Sequence, residues 1–147
     1  MTIVEMLRKN PLFADFDPAD LETLGRSFER QSVKAGATLA REGEQSDRFF
    51  LVESGKVKVS KQAEVVELGP GAHFGEIGVL LEGPRTATVN AAIDCTVLSL
   101  SVEALDAVLV ASPHAAAMFL RALAISLAER LRTTTDDVSF LKAKAGR

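Results

Sequence analysis

Apolar and polar positions follow three rhythms along the chain. From Thr2 to Phe28 the spacing is helical. Ile3, Met6 and Leu7 mark one side of a short first helix, opened by a capping box of Thr2 and Glu5. Asn10-Pro11 closes it, because a residue before proline avoids helical backbone angles. Asp17-Pro18 starts a second helix, with Asp17 at the N-cap and Pro18 at the first helical position. Leu21, Leu24 and Phe28 share its inner face, and Phe13 and Phe16 fall between the two helices.

From Val33 to Leu100 the rhythm shortens. Glycines at 36, 43, 55, 69, 71 and 83 punctuate runs such as Phe49-Phe50-Leu51-Val52, Val65-Val66-Glu67-Leu68 and Thr96-Val97-Leu98. Short strands between regular turns predict a sandwich or barrel. Val57 and Val59 share one strand face, with Lys56 and Lys58 on the other. A short hairpin falls at Lys61-Gln62-Ala63-Glu64.

Beyond Leu100 the spacing is helical again. Ser101 caps a helix through Val110, and Ser112-Pro113 begins a longer one through about Arg132. Leu120, Leu123, Leu127 and Leu131 form its stripe, widened by Met118, Ala122 and Ile125. Thr133-Thr134-Thr135-Asp136-Asp137 is expected to break it, with Val138, Phe140 and Leu141 in a further short element. The predicted organisation is one domain over 1–147, with helices in 1–30, strands in 33–100 and helices in 101–141.

Composition narrows the function. With 17 basic and 20 acidic residues the net charge is −3, and the basic residues are scattered, so no nucleic-acid footprint is visible. The lone Cys95 permits no internal disulfide. His73 and His114 have no second ligand at metal spacing in the sequence, and no metal site is expected. No apolar run is long enough to span a bilayer and no secretion signal opens the chain, so a cytoplasmic location is expected. No nucleophile–base pair or paired carboxylate stands out. A binding module is expected rather than an enzyme; a metal-dependent phosphodiesterase would need a His/Asp ligand set.

The chemistry concentrates in Phe74 to Val89, FGEIGVLLEGPRTATV. Gly75 lets a ligand approach the main chain. The run from Glu76 to Leu81 makes one to two helical turns, whose first N–H groups suit an anion. Arg85 follows a Gly-Pro turn, and its planar fork suits two phosphate oxygens; Thr86 adds a hydroxyl. An ionised Glu76 only accepts, so a sugar hydroxyl is its natural target. Glu76 and Arg85 equally fit a structural ion pair, and spacing alone leaves both readings open.

Phe74-Gly75-Glu76-Ile77-Gly78 and Pro84-Arg85-Thr86-Ala87-Thr88-Val89 resemble the phosphate-binding cassette of the cyclic nucleotide-binding domain family. The resemblance implies an antiparallel eight-stranded β-roll, a jelly-roll barrel with an N-terminal helical element and C-terminal helices. It implies a cyclic nucleotide ligand, with Arg85 on the cyclic phosphate, Thr86 and the helix N–H groups assisting, and Glu76 on the ribose 2′-hydroxyl. Phe74, Gly75, Ile77 and Gly78 complete the ligand-binding segment. Gly78 departs from the family's usual Ala or Ser, which loosens the short helix by roughly 1 kcal/mol. Val59, Val65 and Val66 align with base-contacting positions, and Phe140 is a candidate lid.

Thr86 occurs in relatives that prefer either cyclic base; the Ala- and Arg-rich composition favours cyclic AMP over cyclic GMP. The C-terminal helices are the expected surface for a homodimer or an effector protein, with no membrane segment. About 15 residues follow Arg132, too few for the helix-turn-helix of transcription-factor relatives, so the chain fits a stand-alone receptor or a piece of a larger protein. The alternatives are a protein-interaction module of the same fold, with Glu76–Arg85 as a structural pair, and a cyclic dinucleotide receptor drawing on Arg41 or Arg48.

Overall fold

The computed structural model describes the backbone through Ala145 apart from Ser46 and Glu82, with side chains through Arg132. Helix α1 (Ile3–Lys9) carries the full capping box: Glu5 N–H donates to Thr2 Oγ1 and Thr2 N–H to the Glu5 carboxylate. Asn10 ends it ahead of a 3₁₀ turn at Pro11–Phe13. The Asn10 side chain accepts from Leu12 N–H and donates to the Gly71 carbonyl, which ties the N-terminal element to the strand region. Helix α2 (Pro18–Gly25) starts at Asp17 as the sequence predicts, but the Asp17 side chain makes no capping bond.

The strands are β1 (Glu29–Val33), β2 (Thr38–Ala40), β3 (Arg48–Ser54), β4 (Val57–Lys61), β5 (Glu64–Leu68), β6 (His73–Phe74), β7 (Thr88–Ala91) and β8 (Cys95–Ser101). They form two antiparallel four-stranded sheets, ordered β1-β8-β3-β6 and β2-β7-β4-β5. The sheets do not close into a barrel, which corrects that part of the expectation and leaves the β-roll of eight strands. The first strand also begins earlier than the pattern predicts. Glu29 to Ser32 are exposed and only Val33 is buried, so this edge strand carries no apolar signal.

Strand β3 is buried on both faces, which explains its continuous apolar run. Phe49 and Leu51 point to a core shared with the helices, and Phe50 and Val52 to a core between the sheets. Strand β8 repeats the division, with Leu98 and Leu100 toward the helices and Val97 toward the other sheet. The short helix α3 (Glu76–Leu80) follows β6, and α4 (Val102–Ala111) follows β8, with Ser101 Oγ accepting from Ala104 N–H.

Helix α5 (Pro113–Ala145) does not break at Thr133–Asp137. Ser, Thr and Asp cost a helix only tenths of a kcal/mol each, roughly, and that stretch contains neither Pro nor Gly. Its buried face is Ala115, Ala116, Phe119 and Leu123, while Leu131 of the predicted stripe is 67% exposed. Phe119 fixes the helix: its ring stacks on Phe13 at 6.1 Å and meets the Phe49 edge at 5.3 Å. The side chain of Phe140, the candidate lid, lies outside those described. No described helix is long and apolar enough to cross a membrane.

Candidate ligand-binding site

Gly75 turns the chain from β6 into α3 with φ of +89°, a left-handed conformation that disfavours any Cβ. The next residue, Glu76, is thereby carried inward, and its side chain is only 5% exposed. Burial raises its carboxyl pKa. The nearby His73 Nδ1, its own backbone N–H and the Arg130 charge outweigh that, so the group lies below the usual 4.5. Glu76 Oε1 accepts from the Arg130 guanidinium, which reaches in from α5. Glu76 Oε2 faces His73 Nδ1 at 3.5 Å, close enough for attraction yet outside good hydrogen-bond geometry; neither atom has a hydrogen-bond partner among the described residues.

Arg85 is set by its backbone. Its N–H donates to the Glu44 carbonyl at 2.7 Å, and its own carbonyl accepts from Gly43 N–H at 3.0 Å. The side chain is 9% exposed and lies 3.7 Å from Asp47. Its guanidinium sits over the Phe50 ring, 5.6 Å from the centroid. Burial lowers its pKa from the ordinary guanidinium value, as does Arg48; Asp47 and Glu44 oppose the shift. It stays a cation at any ordinary pH. The Glu76–Arg85 ion pair offered by spacing is not formed: Glu76 belongs to Arg130 and His73, and Arg85 to Asp47.

Both residues face one cavity of about 440 Å³. Phe74, Gly75, Glu76, Ile77, Gly78, Arg85 and Thr86 all line it, together with the apolar Val59, Val66, Leu68, Ala87 and Val89. Val59 and Val66 are direct cross-strand partners on β4 and β5. Val65 does not line the cavity, although Val65 and Val66 are similarly exposed, at 58% and 55%. Adjacent strand residues point to opposite faces, so Val65 and Val66 cannot both face the ligand side. Sequence reasoning missed His73 and Arg130, which also line the cavity. Arg130 carries no local signal, since its partner lies 54 residues earlier.

Residues 30–112 match the family model of the cyclic nucleotide-binding domain. The chain belongs to the cyclic nucleotide-binding domain family. Over 109 residues it is 41% identical to a cyclic nucleotide-gated potassium channel of Mesorhizobium japonicum, a match covering 74% of this chain and 30% of the channel. It is 28% identical over 143 residues to a CRP-like cAMP-activated global transcriptional regulator of Mycobacterium tuberculosis, covering 93% of this chain and 62% of the regulator. The chain thus spans less than two-thirds of the length of either relative. The crystal structure of a cyclic nucleotide-binding domain from Methylobacillus flagellatus superposes with a TM-score of 0.78 at 27% identity, over 92% of this chain and 80% of that one.

Away from the cavity, His114 at the start of α5 hydrogen-bonds Asp20 of α2, with Asp17 beside them. The sequence separation of 94 residues hid this grouping, which revises the expectation that His114 has no partner at ligand spacing. It is exposed apart from Asp20 and ties α5 to the N-terminal helices.

The depressed Glu76 pKa has a measurable consequence. The carboxylate contributes stability that is fully present above its unfolded value near 4.5 and is lost as pH falls through the lower folded value. Glu76→Gln is therefore expected to melt below the wild type at neutral pH. The gap narrows as the buffer is taken below pH 4.5; a gap constant with pH would contradict the assignment.

Proposed function

We propose that this chain is a cyclic AMP receptor domain that performs no reaction of its own. One observation carries the reading: a buried cation and a buried carboxylate, Arg85 and Glu76, line one cavity together with a set of apolar side chains. A cyclic nucleotide has the matching parts, an anionic phosphate, one free ribose hydroxyl and a flat base. Arg85 and Thr86 take the phosphate, helped by the backbone N–H groups that open α3. Glu76 takes the 2′-hydroxyl, because an acceptor-only group repels the phosphate and attracts an O–H donor. Val59, Val66, Leu68, Ala87 and Val89 pack against the base. The preference for cyclic AMP draws support from the mycobacterial relative, named as cAMP-activated, whose match spans 93% of this chain.

Output passes through α5. Arg130 of that helix holds Glu76 Oε1, so a ligand hydroxyl arriving at the same carboxylate changes how α5 is held. Ligand then shifts the population between two α5 arrangements by its differential affinity for them. A second copy or an effector protein reads the change on the outer face of α5, where Ile125 and Leu131 are exposed.

Isothermal titration with cyclic AMP and then cyclic GMP tests the reading. The expected result is micromolar or tighter binding, stronger for cyclic AMP. No binding to either, from a folded sample free of copurified ligand, would leave the fold with a protein-interaction role.

A further inference from the structure

The two oxygens of Glu76 have different surroundings. Oε1 is taken by Arg130, whereas Oε2 looks at His73 Nδ1 across 3.5 Å of cavity wall. Both atoms are buried, and neither has a hydrogen-bond partner among the described residues. Buried polar atoms are nearly always paired, so two such atoms side by side, on residues that both line the cavity, mark a place for a third group. A carboxylate oxygen only accepts, which favours the proton on the imidazole nitrogen that faces it. The wall therefore presents one donor and one acceptor side by side, and a hydroxyl is the simple group that satisfies both.

We propose that His73 is a second ligand-contacting residue, whose Nδ1–H donates to the same ribose hydroxyl oxygen that donates its own hydrogen to Glu76 Oε2. This deepens the cyclic nucleotide reading of the site and rests on it. The imidazole is held for the task. Strand β6 pairs His73 with Leu51 of β3, and the ring packs on the fully buried Phe49 at a centroid distance of 5.5 Å. A rigid donor costs little ordering on binding, so the pair selects a ribose over a 2′-deoxyribose.

The test is a ligand and variant cycle on the full chain. Wild type, His73→Phe and His73→Asn are titrated with cyclic AMP and with 2′-deoxy cyclic AMP, and the ligand-free melts establish folding. Phe keeps a ring against Phe49 and removes the donor; Asn returns an amide donor near the Nδ1 position. His73→Phe is expected to weaken cyclic AMP by about five- to tenfold and the deoxy analogue by less than about twofold. His73→Asn is expected to restore most of the loss. An equal loss with both ligands, or none with either, overturns the His73 assignment and leaves the receptor reading standing. Absence of binding by wild type overturns both. If His73→Phe does not fold, the imidazole nitrogen resonance of the wild type decides: it moves with cyclic AMP alone if the proposal holds, and equally with both ligands if it fails.

Discussion

Arg85→Ala is expected to weaken cyclic AMP binding by about 10- to 150-fold, the equivalent of roughly 1.5–3 kcal/mol for hydrogen bonds to a charged group. The size of the effect follows from how the residue is held. Two backbone hydrogen bonds to the segment around Glu44 fix its Cα, and its guanidinium rests over the Phe50 ring. The guanidinium is thus poised before ligand arrives, and little of the interaction is spent on ordering it. Its ion pair with Asp47 is no strong rival. At 3.7 Å, with Asp47 68% exposed, the pair is screened by solvent. A phosphate displaces Asp47 at small cost. Arg85→Lys separates charge from shape: it keeps the cation and loses the fork, so its affinity falls between the other two. The readout is titration alongside thermal melts, in which ligand at 100 times its dissociation constant adds roughly 2.7 kcal/mol to the wild type. An Arg85→Ala protein that binds as tightly as the wild type would remove Arg85 from the site.

Much of this is legible in the sequence itself, and the reasons differ by element. The N-terminal helices announce themselves through local chemistry: Thr2 and Glu5 form the capping box, and Asn10 before Pro11 ends α1 and caps the turn that follows. The cassette is legible because Gly75, Glu76, Arg85 and Thr86 are close in sequence and carry unusual chemistry together. What stayed hidden depends on distance or on register. Two adjacent valines at 65 and 66 look alike in sequence, and only the pairing of Val59 with Val66 decides which faces the cavity. Strand β1 is polar because it lies at a sheet edge, so periodicity was silent there. Arg130 reads as one more charged residue on a helix face until the fold brings it to Glu76. The Thr133–Asp137 stretch reads as a break because it is a run of polar, weakly helix-forming residues, but without Pro or Gly the helix continues through it.

Gly75→Ala is expected to be the most damaging single-methyl change in the cassette. At φ of +89° an alanine pays left-handed strain of roughly 1–3 kcal/mol. Its Cβ would also lie 2.4 Å from the Arg48 carbonyl oxygen and 3.4 Å from the Phe49 Cα. Both neighbours are backbone atoms of β3, a strand paired on both sides by β6 and β8, so neither can yield locally. The relief left is for α3 to move outward, which adds an overpacking cost of about 1–3 kcal/mol. At about 2–4 °C per kcal/mol for a chain of this size, the sum predicts a melting temperature lower by roughly 5–20 °C. Gly71→Ala supplies the control, because Gly71 has φ of +90° but open space where a Cβ would sit. It pays the strain alone, and the difference between the two variants is the clash. Equal melting temperatures for the two would contradict the close approach of Gly75 to β3. The same variant separates the two ends of the pocket. Arg85 is anchored on the Gly43–Glu44 segment and stays in place, while Glu76 moves with α3. Whatever cyclic AMP binding remains in folded Gly75→Ala is therefore expected to have lost its discrimination against the 2′-deoxy analogue before it loses its dependence on Arg85.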